Sequence, residues 1–203
     1  MVQFILIQMN HEVHILMEEE IKKCIAVLKN GGTILYPTDT IWGLGCDATN
    51  GVAVEKVYRI KKRMESKSLI ILLPDLEFLK KYVLNVPEIA MDLMKGVDNP
   101  LTIIYPNAIN LPANVIGPDG SIAIRIIKNE FCKRLIREFN KPIVSTSANV
   151  SGEPAPLVYT CISKEIIDQV DHVVNYQREE IQEFKPSRII KLNENGEFNI
   201  IRP

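Results

Sequence analysis

Most of the patterns that announce a common cofactor are missing from this chain of 203 residues. Cysteine is sparse, and Cys24, Cys46, Cys132 and Cys161 show no paired spacing, so neither a zinc knuckle nor a disulfide framework is expected. Reduced, mostly buried thiols follow as the default. The histidines are His11, His14 and His172, and the first two lack the further ligands a metal site requires. No G-x-G-x-x-G and no G-x-x-x-x-G-K-[ST] occurs, which argues against a dinucleotide fold or a standard P-loop. No apolar run reaches the length of a membrane span. The start, Met1 to Met9, is apolar but carries no basic n-region and no small-residue cleavage site, so Val2 to Gln8 reads as a first strand, not a signal peptide. A net charge of −1 excludes the global basic field that nucleic-acid binders carry, though not a local basic cleft. A soluble, cytoplasmic protein is expected.

What is present is ordinary globular material: 46% hydrophobic and 24% charged residues, enough for one domain over residues 1–203 with a substantial core. Glu18 to Asn30 is helical by its stripe of Ile21, Cys24, Ile25 and Leu28, and Gly31-Gly32 stops it. A short strand, Thr33 to Tyr36, precedes a hydroxyl-rich, glycine-broken segment ending at Gly45. Asn50 caps a helix from Gly51 to about Arg63, with Val54, Val57, Tyr58 and Ile60 inward. Strands follow at Leu69 to Leu73 and Leu101 to Tyr105, with two helices between them, near Asp75 to Tyr82 and Pro87 to Lys95. Ser121 to Ile126 alternates, placing Ser121, Ala123 and Arg125 on one face. Asn129 caps a helix to Phe139, a strand runs from Pro142 to Ser145, and Ser163 to Val170 is helical. Strands at His172 to Asn175, Arg188 to Lys191 and Phe198 to Ile201 close the chain. This alternation implies a layered α/β sheet.

The stretch Ile143 to Gly152, IVSTSANVSG, holds five hydroxyl or amide side chains between Ser145 and Ser151. Apolar strands that end in polar, Gly-terminated loops are where open α/β sheets place ligands. Neutral hydroxyls and amides suit a ligand that brings its own charge, such as a nucleotide. Ser, Asn and Gly are also ordinary turn formers, so the stretch alone leaves a surface turn open. Lys61-Lys62-Arg63 likewise admits a plain role, because cations at a helix C-terminus complement the macrodipole.

Taken together these segments resemble the YrdC family of L-threonylcarbamoyladenylate synthases, over essentially the whole chain. Tyr36 to Gly45, YPTDTIWGLG, is similar to the family's Y-P-T-[DE]-T-x-[YW]-G-L-G opening. Lys61-Lys62-Arg63 resembles its K-x-R signature, Lys67-Ser68-Leu69 the segment after it, and Ser121 to Ile126 its small-residue-then-arginine strand. Ser147-Ala148-Asn149 resembles its S-x-N signature, and Pro186-Ser187 with Ile201-Arg202-Pro203 its late elements. The resemblance implies a three-layer α/β fold, a twisted mixed β-sheet with helices on both faces and a positively charged concave face. It implies a nucleotidyltransferase that joins L-threonine, bicarbonate and ATP into threonylcarbamoyl-AMP and pyrophosphate, the first step of threonylcarbamoyladenosine tRNA modification. Downstream threonylcarbamoyl-transferase proteins complete that modification, with tRNA a further candidate partner.

By the same resemblance Lys61 and Arg63 are catalytic and, with Lys67, Ser121, Ser147, Asn149 and Arg202, contact ATP. Thr40, Arg125, Ser145 and Ser187 form the threonine pocket, with Arg125 on the carboxylate. Mg²⁺ is held mainly by the ATP phosphates, in keeping with the absence of a carboxylate cluster. The chemistry suits these residue types: a carbamate attacks a phosphate, anion against anion, so catalysis is positioning and charge neutralisation. The chain departs from the family at Met64, where proline is usual after K-x-R, and at Asp98-Asn99-Pro100, where P-G-P is common. It departs again at Pro186-Ser187-Arg188, where Arg188 is expected to add a cation near the threonine site. The further C-terminal domain of some members is not expected here. The alternatives are an RNA-binding or ribosome-associated module and an inactive paralogue on the same fold; intact K-x-R and S-x-N signatures favour the enzyme.

Overall fold

The computed structural model describes residues 2–64, 69–95, 99–179 and 186–203. Helix α1, Val2–Lys29, buries Ile21, Cys24 and Leu28 against the body. It corrects the expected strand at Val2 to Gln8, which is helical. No glycine or proline interrupts the chain before Gly31, so a helix anchored by its packed C-terminal half propagates backward at one hydrogen bond per residue. Gly31, at φ 68°, ends it, with Gly32 N donating to Val27 O at 2.9 Å.

Strand β1, Thr33–Tyr36, leads through the hydroxyl-rich segment into β2, Gly43–Cys46, a strand within the segment whose glycines break the sequence pattern. Gly45 is there because β2 lies tight on its neighbours. A Cβ on Gly45 would stand 2.1 Å from the Val144 carbonyl oxygen and 2.9 Å from the Tyr36 ring. Helix α2 is Gly51–Ile60 and β3 is Ile70–Leu73. Two short helices follow, α3 Leu76–Leu79 and α4 Glu88–Lys95. Next come β4 Leu101–Tyr105, β5 Ile122–Ile126, α5 Glu130–Phe139 and β6 Ile143–Ser147. Helix α6, Lys164–Ile167, and β7, His172–Val173, are shorter than expected; β8, Arg188–Leu192, and β9, Phe198–Arg202, match the reading within a residue.

The strands form one mixed sheet in the order β7-β1-β2-β6-β3-β5-β4-β8-β9. β6 is its hinge piece, antiparallel to β2 on one side and to β3 on the other. Register then assembles a polar face. Ser145, Ile70, Ala123 and Ile104 stand in one row, and Leu72, Arg125, Thr102, Ile189 and Arg202 stand in the row two residues along. Side chains alternate, so Val144, Ile71, Ile124, Ile103 and Ile190 point the other way and are buried. Helix α5 packs on β3 and against α1, burying Phe131, Cys132, Leu135, Ile136 and Phe139. Each such side chain removed from water contributes about 1.5–3 kcal/mol, and this apolar layer holds the polar face in place.

Candidate active site

The K-x-R segment owes its shape to the end of α2. Asn50 caps the start, its side chain accepting from Val52 N and Ala53 N. At the other end Arg63 N donates to Tyr58 O at 2.9 Å and Lys62 N to Arg59 O at 3.0 Å, while Lys62 takes φ 49°. This is a Schellman turn with lysine at the left-handed position where glycine is usual. The reversal sends the three side chains apart. Lys62 is exposed and pairs with Glu165 at 2.6 Å, Lys61 is buried, and Arg63 is half-buried and lines a cleft on the polar face.

Lys61 is 2% exposed, and its three protons are consumed by the S-x-N loop. Nζ donates to Ser147 O at 2.6 Å, to Asn149 O at 2.7 Å and to Asn149 Oδ1 at 3.3 Å. Ser151 N returns a bond to Lys61 O at 2.8 Å. Asn149 spends its amide on the same loop, Nδ2 donating to Val150 O at 3.0 Å and Glu153 O at 2.7 Å. Lys61 and Asn149 therefore shape the loop after β6, and only Ser145, Thr146 and Ser147 of that stretch line the cleft. Burial, then the charge of Arg63, pushes the Lys61 pKa down to about 8.

On the other side of the cleft stands Arg125, 6% exposed. Its Nη1 donates to Thr40 Oγ1 at 3.2 Å, and its Nη2 lies 3.3 Å from Asp39 Oδ1. Its Nε is buried without a partner. Thr40 is held in turn by Thr38, their hydroxyl oxygens 3.1 Å apart. Ser187 is buried, its Oγ 2.9 Å from Thr102 Oγ1. Arg202 clamps it, donating from Nε at 2.9 Å and Nη2 at 2.6 Å to Ser187 O, and from Nη2 at 3.1 Å to its Oγ. Burial, then Arg125, lowers the Arg202 pKa, and burial lowers that of Arg63; both guanidinium groups keep their charge at neutral pH.

The cleft holds about 420 Å³ and is lined by Thr40, Arg63, Arg125, Ser145, Ser147, Ser187 and Arg202 among the residues the sequence singled out. Lys61 and Asn149 stand behind it. Ser121 lies apart, its Oγ donating to Asp119 Oδ1 at 2.6 Å in the turn before β5. Lys67 lies outside the described residues. Arg188 is exposed and absent from the lining; it alternates away from Ile189, so its cation is not on the cleft face. Sequence reasoning missed Thr38 and Trp42. Trp42 is 1% exposed, packs on Tyr159 at 5.0 Å between ring centroids, and leaves its indole N–H buried without a partner. Two unpaired N–H donors, Trp42 Nε1 and Arg125 Nε, thus sit at residues that line one cleft, and among the described residues no carboxylate lines it. Such a lining is made for an anionic, acceptor-rich ligand.

Residues 26–203 match the model of the Sua5/YciO/YrdC family, described as "Telomere recombination". The chain belongs to this family. It is 36% identical over 161 residues to a threonylcarbamoyl-AMP synthase of Pseudoalteromonas translucida, covering 78% of this chain and 86% of that one. A putative threonylcarbamoyl-AMP synthase of Methanocaldococcus jannaschii is 35% identical over 195 residues, covering 93% and 90%. Among solved structures, P. abyssi Sua5 complexed with L-threonine superposes with a TM-score of 0.76 at 26% identity, over 86% of this chain. This chain spans about half (51%) of that Sua5 chain. The fold of E. coli YciO is also alike, with a TM-score of 0.78 at 24% identity, over 90% of this chain and 87% of that one. As a Sua5/YciO/YrdC protein the chain carries its family's mixed sheet and the K-x-R and S-x-N signatures, the latter two joined through Lys61 Nζ.

Proposed function

We propose that this protein is an L-threonylcarbamoyladenylate synthase. The observation that carries the proposal is the cleft itself: Arg63, Arg125 and Arg202 converge with threonine and serine hydroxyls on about 420 Å³, and among the described residues no carboxylate lines it. The names of the relatives that match most of the chain support the same reading.

The threonine amine attacks bicarbonate and gives a carbamate with loss of water. A carbamate oxygen then attacks the α-phosphorus of ATP, and pyrophosphate leaves with the bonding electrons. Neither step demands an enzyme base of the kind a carboxylate or histidine supplies, and neither residue type lines the cleft among the described residues. Arg125 receives the threonine carboxylate through its unpaired Nε–H, with Thr40 and Ser187 beside it. Arg63 and Arg202 draw the phosphates and carbamate together; two anions at van der Waals distance repel by several kcal/mol in a screened site, and fixed guanidinium groups offset that. Lys61 acts through the S-x-N loop, holding the carbonyls of Ser147 and Asn149 so that the loop presents Ser147 to the nucleotide. Mg²⁺ enters as part of the MgATP substrate, bound by phosphate oxygens. The product then passes to transfer proteins that modify tRNA, and a cytoplasmic enzyme suits that role. Among the described residues no helix is long and apolar enough to cross a membrane.

The test is pyrophosphate release by the purified protein with MgATP and bicarbonate, with and without L-threonine, beside Arg63→Ala. Release that requires threonine and bicarbonate and falls at least about 100-fold in the variant is expected. Release indifferent to threonine refutes the proposal.

A further inference from the structure

The cleft accounts for Arg125, Thr40 and Ser187 but leaves Asp39 without a role. Asp39 sits between two lining residues, Thr38 and Thr40, yet does not line the cleft. Its carboxylate joins two elements. Oδ1 lies 3.3 Å from Arg125 Nη2, and Oδ2 accepts from Lys128 N at 3.0 Å in the loop between β5 and α5. The Arg125 contact is close but too poorly aligned for a hydrogen bond, since Oδ1 has none. It acts through charge. The guanidinium is therefore held at its two terminal nitrogens, by Thr40 and by Asp39, with Nε left over.

We infer that Asp39 is the positioning residue for Arg125, fixing the tilt of its guanidinium so that Nε–H is presented to the carboxylate of the amino-acid substrate. The inference rests on the reading of Arg125 given above. An arginine side chain has several rotatable bonds, and order at its head group has to be imposed by partners. Thr40 alone supplies one neutral hydrogen bond, about which the planar group can pivot. Arg202 lines the same cleft, and like charge drives the two guanidinium groups apart. Asp39 opposes both motions from behind. Because it spends no hydrogen bond on Arg125, it leaves the donors of that group available. Its second oxygen, fixed by a backbone N–H, keeps the carboxylate from following Arg125 into the cleft. Asp39 thus acts on the amino-acid side of the cleft and not on Arg63 or the S-x-N loop.

The experiment measures equilibrium binding of L-threonine and, separately, of MgATP to the whole protein, with melting temperatures. Asp39→Asn keeps the size and an acceptor for Lys128 N and removes the charge; Asp39→Glu keeps the charge. Asp39→Asn is expected to weaken threonine binding about tenfold and MgATP binding less than about twofold, with an unchanged melting temperature, and Asp39→Glu to recover most of the loss. Unchanged threonine affinity in Asp39→Asn overturns the inference. Equal losses of both ligands with a lowered melting temperature and no recovery in Asp39→Glu also overturn it, in favour of a general structural role. A wild-type protein that binds MgATP but no threonine refutes the functional reading and takes this inference with it.

Discussion

Replacing Lys61 by methionine keeps the length of the side chain and removes every donor. Three oxygens then lose their partner: Ser147 O, Asn149 O and Asn149 Oδ1. Hydrogen bonds from a charged donor contribute about 1.5–3 kcal/mol each, so the gross loss is on the order of 5–9 kcal/mol. Methionine also removes the cost of burying an ammonium group. A pKa displaced from 10.5 to about 8 corresponds to about 3 kcal/mol of that cost. The net destabilisation at pH 7 is therefore about 2–6 kcal/mol, read as the shift in free energy from urea unfolding. The pH dependence gives a sharper test. The folded-state pKa of Lys61 lies below its unfolded value, so the unfolded chain binds more protons between them, and stability contributed by this group rises with pH across that window. The gap between wild type and Lys61→Met should be constant below pH 8 and widen between about 8 and 10.5. A gap that stays flat or narrows there means that the three oxygens hold the ammonium at or above its solution pKa, and refutes this reasoning.

Further expectations follow from single contacts. Arg125→Ala should raise the threonine concentration for half-maximal turnover on the order of 100-fold and that for ATP only a few-fold; equal effects in steady-state kinetics would break the assignment. Lys62→Gly should raise the melting temperature by about 2 °C, because glycine takes φ 49° without strain; a lower value would show that the Glu165 pair matters more. Gly45→Ala should destabilise by about 3 kcal/mol in chemical unfolding, since its Cβ would meet the Val144 carbonyl at 2.1 Å. Glu20 is buried, which raises its pKa, but bonds from Lys23, Asn175 N and His172 outweigh that and hold it below 4.5. The advantage of wild type over Glu20→Gln should persist above pH 4.5 and fade as pH drops through the lowered value, measured by unfolding at stepped pH.

Local signals carried the sequence reading where the chain depends on local physics. The Asn129 cap and five buried residues of α5 fix that helix from Glu130 to Phe139 without reference to the rest of the molecule. The strand β4 was likewise plain in LTIIY. β2 was not, because Gly43-Leu44-Gly45-Cys46 has little strand propensity; it is a strand because Val144 and Tyr36 pack too close for a larger residue at position 45. The apolar start misled in the opposite sense, since an apolar run of that length suits either element and its attachment to the packed part of α1 decides. In the site, resemblance named Lys61, Asn149 and Arg125, but the partners of Lys61 lie 86 and 88 residues away. That distance hid the anchoring of one signature by the other. Asp39 and Trp42 stood inside a recognised segment, and only their contacts with distant residues, Arg125 and Tyr159, distinguish them from their neighbours.

The cleft draws residues from 38, 40–43, 63, 123, 125, 145–147, 186–187 and 201–202, with β6 joining the two halves of the sheet. No contiguous part of the chain contains a working fraction of it. Pairings of such long sequence separation close late and slowly. Catalytic competence should then appear in refolding only with the last long-range strand pairing, well after the helices have formed. An activity assay on this protein should accordingly act as a clock for the completion of the fold, and on the proposed role of Arg202 a nascent chain should stay catalytically silent until β9 has docked.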